Sequence, residues 1–193
     1  MPWTSLAAER PIHELRGSVS INGKPATKDS VIAPGDVVTT GSDGHVVFVI
    51  GDSAFMLRSR SEFRVERPKE DAFGALYGVL RLVSGALGAT FRKGGSARLV
   101  ASNATIGIRG TGIYLETRGN GVYFCTCWGS TEVMLTDQPA MRERIEATRH
   151  SPRLVALRAS EPQAFMPAPF ETHTDQEMEI LEKCVARKAP WVK

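Results

Sequence analysis

Short apolar runs that alternate with polar positions recur along most of the chain. Between residues 18 and 65 they are separated by turn-forming pairs rich in Gly, Asp and Asn, and a second series of the same kind extends from residue 76 to 135. A period of two is typical of strands with one buried face, and short strands at regular spacing favour an all-β domain. The sequence therefore predicts many short strands, arranged as a β-sandwich or as a solenoid-like roll.

The most regular alternation lies between residues 104 and 129, in two runs separated by the segment 117–121 (TRGNG). The glycines and the asparagine of this segment tolerate the positive φ angles of a tight connection, so the two runs are predicted to form a hairpin. Alternate residues of a strand share a face, which places Tyr123, Cys125 and Cys127 on the same side. Because the two cysteine Cα atoms would lie about 6.6 Å apart with parallel side chains, we do not expect a disulfide between them.

The chain changes character after the second series of strands. Residues 143–150 and 153–157 are predicted as two more strands. A helix over 139–148 is the alternative, because Asp137 could cap it and Pro139 suits a first helical turn. An extended strap should follow, since each proline removes a backbone donor and biases its predecessor towards extended geometry; these residues are Pro162, Pro167 and Pro169.

A single amphipathic helix is predicted at the C-terminus, over residues 174–188. Thr174 followed three residues later by Glu177 is a capping box, which marks the start of a helix. Cys184 falls on or beside the apolar stripe and is interpreted as a core residue. The stripe itself recurs at helical spacing and consists of Met178, Leu181 and Val185.

Four segments of the β region, in this order, carry a resemblance to the FecR domain family. They are 17–23 (GSVSING), 34–44 (PGDVVTTGSDG), 80–85 (LRLVSG) and 108–111 (IRGT). The resemblance implies a FecR-like β domain over residues 14–135. Residues 1–13 then form an N-terminal extension, and residues 136–193 form a C-terminal extension with strands, strap and helix.

The resemblance also implies a cellular location, a role and a partner for the protein. Bacterial members of the family lie outside the inner membrane as sensing or signal-transducing modules, and those that regulate iron uptake add a membrane helix and a cytoplasmic anti-sigma segment. This sequence shows neither segment, so the resemblance favours a periplasmic module over direct control of transcription. The expected partner is another envelope protein.

The Arg109, Gly110 and Thr111 segment of the last motif has two interpretations. Glycines that flank Thr111 allow a β-bulge or a close backbone approach inside an otherwise continuous strand. The alternative is that these residues contact a ligand.

Composition and charge limit the expected partners and cellular location of the protein. The chain has 193 residues, 42% of them hydrophobic, and a formal net charge of +3. Its basic residues are scattered among acidic ones, so we expect no nucleic-acid partner. The longest apolar run, 46–50, is far shorter than the roughly 20 residues that span a bilayer, and no transmembrane segment is expected. Residues 1–16 do not resemble a secretory signal, so a periplasmic location assumes that the signal was removed, and a cytoplasmic location is the alternative.

The candidate chemistry is a metal site formed by Cys125, Cys127, His150 and His173. Two thiolates and two imidazoles suit tetrahedral zinc or a soft transition metal such as copper. Asp175, next to the predicted helix cap, could be a further ligand or could orient an imidazole. The alternative is that both cysteines are core residues and both histidines lie on the surface. The other histidines, His13 and His45, are expected at the surface or in turns.

We do not expect an enzyme. A nucleophilic arrangement could be drawn from Cys127, His173 and Asp175, but reactive cysteines usually lie at a helix start or beside a cation, and these lie within a strand. The usual hydrolase, phosphate-loop and metalloprotease motifs are missing from the sequence. The predicted function is non-catalytic sensing or binding in the bacterial envelope, with a structural or protein-interaction module without metal as the alternative.

Overall fold

The structure is a computed structural model that describes residues 11–67, 69–70, 76–77, 79–94, 96–157 and 163–193. Residues 1–10 of the expected N-terminal extension and Pro162 of the expected strap lie outside these ranges. The described strands are β1 (Ile12–Arg16), β2 (Val19–Ile21), β3 (Lys24–Pro25), β4 (Val37–Thr40), β5 (His45–Ile50), β6 (Ser53–Leu57), β7 (Glu62–Val65), β8 (Lys69–Glu70), β9 (Leu76–Tyr77), β10 (Val79–Ser84), β11 (Ala86–Thr90), β12 (Ser96–Ala101), β13 (Ala104–Arg118), β14 (Gly121–Leu135), β15 (Arg142–Ala147), β16 (Ser151–Ala156) and β17 (Phe165–Pro167), and the one described helix is α1 (Asp175–Cys184).

Fifteen of these strands belong to one sheet, and the all-β prediction is confirmed. The main path through the sheet runs β1-β5-β6-β11-β13-β12-β10-β7-β4-β2-β3, while β14 pairs with β13, β15 and β16, and β17 extends the sheet from β16. Strands β10 and β12 are parallel. Strands β8 and β9 form a separate ladder. None of the helices in the described ranges is long and apolar enough to cross a membrane.

The sheet has apolar side chains on both faces, in two clusters. The larger cluster, here the inner core, draws residues from nearly every part of the sheet and includes the contacting rings of Phe48, Phe55 and Phe63. The smaller cluster, here the outer cluster, includes Tyr114 and Tyr123 and is covered by side chains of the C-terminal segment 163–193. The sheet therefore separates its own core from a second apolar layer that the C-terminal segment completes.

The predicted hairpin forms from β13 and β14. Arg118 pairs with Gly121 across the turn, and the alternation predicted for β14 is present. Phe124 faces the inner core, whereas Cys125 and Cys127 face the outer cluster. Neither cysteine is in a disulfide.

A β-bulge interrupts the hairpin at the Arg-Gly-Thr segment, where the register shifts between Arg109 and Gly112. Gly110 has a φ of +57°, and a Cβ there would lie 2.5 Å from the Cα of Lys93. Gly112 also needs to be a glycine, because a Cβ would lie 2.3 Å from the Trp128 ring. The buried Thr111 hydroxyl donates to the Trp128 carbonyl. Gly110 and Thr111 thus take part in the bulge, and the Arg109 side chain is exposed.

The C-terminal region forms two strands, β15 and β16, and the alternative helix over 139–148 is not present. Helix α1 begins at the predicted capping box of Thr174 and Glu177. It ends at Cys184, so the prediction that it extends to residue 188 is wrong. Ala186 adopts a left-handed φ of +54°, and the Arg187 N–H turns back to donate to the Glu182 carbonyl. The helix is therefore capped by the reversal at Ala186, before Pro190 is reached.

Candidate metal centre

Four side chains from three separate parts of the chain meet on the outer face of the sheet. Cys125 and Cys127 come from β14, His150 precedes β16, and His173 precedes α1. One ligand atom from each residue lies within 4.8 Å of all the others. The four residues selected from the sequence therefore converge, and the reading in which both histidines lie apart on the surface does not hold. We call this group the Cys2His2 centre.

Strand pairing places His150 in the centre. Residues after β14 turn back twice, and β16 returns alongside the first half of β14, so that Pro152 pairs with Cys125. His150 adopts a φ of +46° at the start of this return, and its backbone N–H donates to the Cys127 carbonyl at 2.9 Å. Only 7% of its side chain is exposed, so the ring is held over the two cysteines.

The strap that precedes α1 positions His173. The Tyr123 hydroxyl donates to the Pro169 carbonyl at 3.0 Å, and the Glu171 N–H donates to the Tyr123 oxygen at 3.2 Å. The His173 ring stacks on Tyr114, with a centroid separation of 4.4 Å and an interplanar angle of 10°. Tyrosines of the sheet thus fix both the backbone and the ring of the histidine from the C-terminal segment.

Each imidazole has one nitrogen bound to an oxygen and the other turned to a cysteine. His150 Nε2 lies 2.6 Å from Asp175 Oδ1, and its Nδ1 lies 3.8 Å from Cys125 Sγ. His173 Nδ1 lies 3.0 Å from the Glu171 carbonyl oxygen, and its Nε2 lies 3.4 Å from Cys127 Sγ. Donating one N–H to a carboxylate or carbonyl is how metal-bound histidines are usually oriented. The remaining nitrogen of each ring therefore points to the same place as the sulfurs.

The separations fit a tetrahedral ion. Zinc bonds of about 2.3 Å to sulfur and about 2.0 Å to nitrogen place neighbouring sulfur and nitrogen ligands about 3.5 Å apart in a tetrahedron. The distances found are 3.4 Å for Cys127 to His173 and 3.8 Å for Cys125 to His150. These two pairs lie within a few tenths of an ångström of the tetrahedral value, and all four ligand atoms lie within 4.8 Å of one another.

The two thiols have opposite electrostatic environments. A hydrogen bond from Cys127, with further bonds from His150 and His173, lowers the pKa of Cys125 to about 4 despite its burial. Burial raises the pKa of Cys127 well above its ordinary value, and the bond and charge of Cys125 raise it further. Burial opposes a charge on His150, but its bonds to Cys125 and Asp175 raise its pKa. One thiolate is therefore already favoured, and a metal ion would have to displace the proton of the second.

Asp175 lies at the first position of α1 and contacts His150. Burial works against its charge, but hydrogen bonds from His150 and Arg149 lower its pKa, so it stays a carboxylate. The arrangement of Cys127, His173 and Asp175 considered as a nucleophilic trio does not form, because His173 turns its Nδ1 to Glu171. The geometry instead connects Asp175, His150 and Cys125. Sequence spacing could not show this pairing, since it depends on β16 returning beside β14.

The remaining cysteine and histidines lie away from the Cys2His2 centre. Cys184 packs against the outer cluster, where burial raises its pKa to about 11. His45, on β5, is within 3.6 Å of Glu14, and burial lowers its pKa. His13 is on β1.

Comparison with known proteins identifies a shared fold and no family. Neither protein-family models nor curated protein sequences give a match. The fold is similar to a crystal structure of a candidate anti-sigma factor from Parabacteroides distasonis, with a TM-score of 0.52 and 11% identity. The similar region covers 68% of this chain and 58% of that protein, so the chain spans little more than half of its length. At this identity the likeness concerns the fold alone.

Proposed function

We propose that this chain is a non-catalytic sensing or binding module of the bacterial envelope, of FecR-domain type, that holds one transition-metal ion. Three features support the envelope role: the order of the four FecR-like motifs, the all-β fold, and its likeness to a candidate anti-sigma factor. The expected location is the periplasm, and the expected partner is another envelope protein. The metal would be a structural ion, because its ligands come from three separate segments of the chain and one ion would cross-link them.

The observation that carries the metal assignment is the orientation of the two buried imidazoles in the Cys2His2 centre. His150 and His173 each turn one nitrogen to a cysteine while the other nitrogen is bound to an oxygen. Core cysteines alone would not require two histidines to be removed from water, which costs free energy unless the rings are satisfied. Thiolate and imidazole ligands in a tetrahedral set favour zinc, with copper as a softer alternative.

A thiol nucleophile is the second candidate, because Cys125, His150 and Asp175 are connected and the pKa of Cys125 is lowered to about 4. Burial argues against it: Cys125 has no exposed surface. A substrate could reach the sulfur only if the residues above it moved. Under the metal proposal, Cys125 in the native protein reacts slowly with iodoacetamide at mildly acidic pH and faster after chelation. Rapid alkylation of the untreated protein would favour the nucleophile.

Replacement of one ligand tests the metal directly. We expect Cys127→Ser to lower both the bound metal per chain and the melting temperature, because ligation in a folded site contributes to folding stability. Metal content is measured by elemental analysis of protein purified under reducing conditions without chelator. Cys184→Ser is the matched control, because it removes a sulfur from outside the centre and should leave metal content unchanged. Absence of any ion from the unaltered protein, or equal content in both variants, would refute the proposal.

A further inference from the structure

The ring of Phe170, at the end of the strap, lies against both imidazoles of the Cys2His2 centre. It stacks on His150 with a centroid separation of 4.0 Å, and it meets the His173 ring edge-on at 4.8 Å. Three other aromatic rings lie close to these imidazoles within the described ranges, and they belong to Tyr114, Tyr123 and Trp191. The tyrosines are fully buried and the tryptophan is partly buried, whereas Phe170 is 48% exposed. Phe170 is therefore the ring that separates the two imidazoles from water.

Trp191, which covers the centre beside Phe170, is held more firmly. Its indole N–H donates to the Glu179 carboxylate at 2.9 Å, and its ring packs edge-on against Trp128. The Arg149 guanidinium lies 5.5 Å from the centre of the same ring, close enough for a cation–π contact. The Phe170 ring has no polar atom, and the rings that it contacts in the described part of the chain are the two imidazoles. Of the two covering rings, Phe170 is therefore the easier to displace.

The backbone on both sides of Phe170 is fixed by one hydroxyl of the sheet. The Tyr123 hydroxyl donates to the Pro169 carbonyl at 3.0 Å and accepts from the Glu171 N–H at 3.2 Å. Displacement of the strap would break both bonds, whereas the side chain of an exposed residue changes its torsion angles within nanoseconds. The Phe170 ring can therefore turn into water while its backbone stays in place.

We propose that the Phe170 ring is a gate to the Cys2His2 centre, which turns outwards to let the ion enter and leave while the strap and α1 stay on the sheet. The gate rests on the metal site proposed above. Some movement is required, because Cys125 and Cys127 have no exposed surface and the His150 side chain is only 7% exposed. The ring offers no ligand atom to a metal, so its effect is on the rate of exchange.

The rate at which the loaded protein loses zinc to a chromophoric chelator, followed by stopped-flow absorbance, tests the gate. Phe170→Ala should raise this rate about three- to tenfold, because the closed state loses its aromatic stacking. Phe170→Leu keeps apolar bulk without stacking, and its rate should lie between those of Phe170→Ala and the unaltered protein. Tyr123→Phe frees the strap backbone and should raise the rate less than Phe170→Ala does. A larger rise in Tyr123→Phe would show that the ion leaves by detachment of the strap, and it would overturn the gate.

Zinc affinity separates a gate from a simple support for the His150 ring. Loss of a gate speeds entry as well as release, so the dissociation constant of Phe170→Ala should change less than its release rate. A dissociation constant that rises by the same factor as the release rate would overturn the gate. Met166→Ala is the matched control, because Met166 is an exposed apolar residue of β17, and both quantities should stay unchanged in it.

Failure of the gate and failure of the metal site give different results. Unaltered protein that takes up no zinc would refute the proposed function, and the gate with it. Loaded protein that releases zinc at the same rate with and without the Phe170 ring would refute the gate alone.

Discussion

In the Cys2His2 centre, hydrogen bonds to His150 Nε2 and His173 Nδ1 determine which nitrogen of each ring faces the cysteines. Alternation along β14 is enough to predict that Cys125 and Cys127 share a face, because strand geometry fixes side-chain direction. The sequence does not show which nitrogen of His150 is free, because that depends on a carboxylate 25 residues away. Asp175 was a candidate to orient an imidazole, and the structure places it against His150.

Asp175→Asn tests this bond. An amide can accept the same hydrogen bond without the negative charge, so the helix should form normally while zinc affinity falls about 10- to 100-fold. Affinity is measured by competition with a chromophoric chelator. Glu171→Gln is the control, because His173 uses the backbone carbonyl of Glu171 and the Glu171 side chain pairs with Arg118. A zinc affinity that does not change in Asp175→Asn, or falls equally in Glu171→Gln, would contradict the role of Asp175.

At the scale of elements, the centre joins the C-terminal segment to the sheet. Local signals predicted the start of α1 correctly, since a capping box needs only Thr174 and Glu177. They failed at its end because the reversal at Ala186 has no glycine to mark it. Just after that reversal, Arg187 pairs at 2.7 Å with the buried Glu182 of α1. Glu182 also accepts a hydrogen bond from Thr90 of the sheet. At its other end, where the strap meets α1, the segment is held to the sheet by the hydrogen bonds of Tyr123 and by the Cys2His2 centre.

Metal removal should therefore loosen the C-terminal segment unevenly. We expect hydrogen exchange of backbone amides to rise in the strap and the first turn of α1 after chelation. Exchange near Glu182 should rise less, and exchange in β6 and β11 should not change, because these strands are paired on both sides in the sheet. Cys127→Ser without chelator should reproduce the pattern. Equal protection with and without the ion, or a uniform rise over the whole chain, would contradict this arrangement.

At the scale of the whole molecule, the sequence predicts the class of fold better than its connections. Period-two runs and turn residues are local, and they identified an all-β fold and the β13–β14 hairpin. The order of strands depends on distant pairings, such as the parallel contact of β10 with β12 and the return of β16 beside β14. The return of β16 brings His150 to the cysteines, and the strap held by Tyr123 brings His173. The choice of ligands could therefore be made from residue types, but their convergence could not.

X-ray absorption at the zinc edge of the purified protein is the most direct test of the metal centre. The account predicts one ion per chain with two sulfur neighbours at about 2.3 Å and two nitrogen neighbours at about 2.0 Å. Absorption at the copper edge with the same four neighbours would support the same ligands, with copper in place of zinc. A protein without a bound transition metal, or an ion surrounded by oxygen and nitrogen alone, would contradict ligation by Cys125 and Cys127.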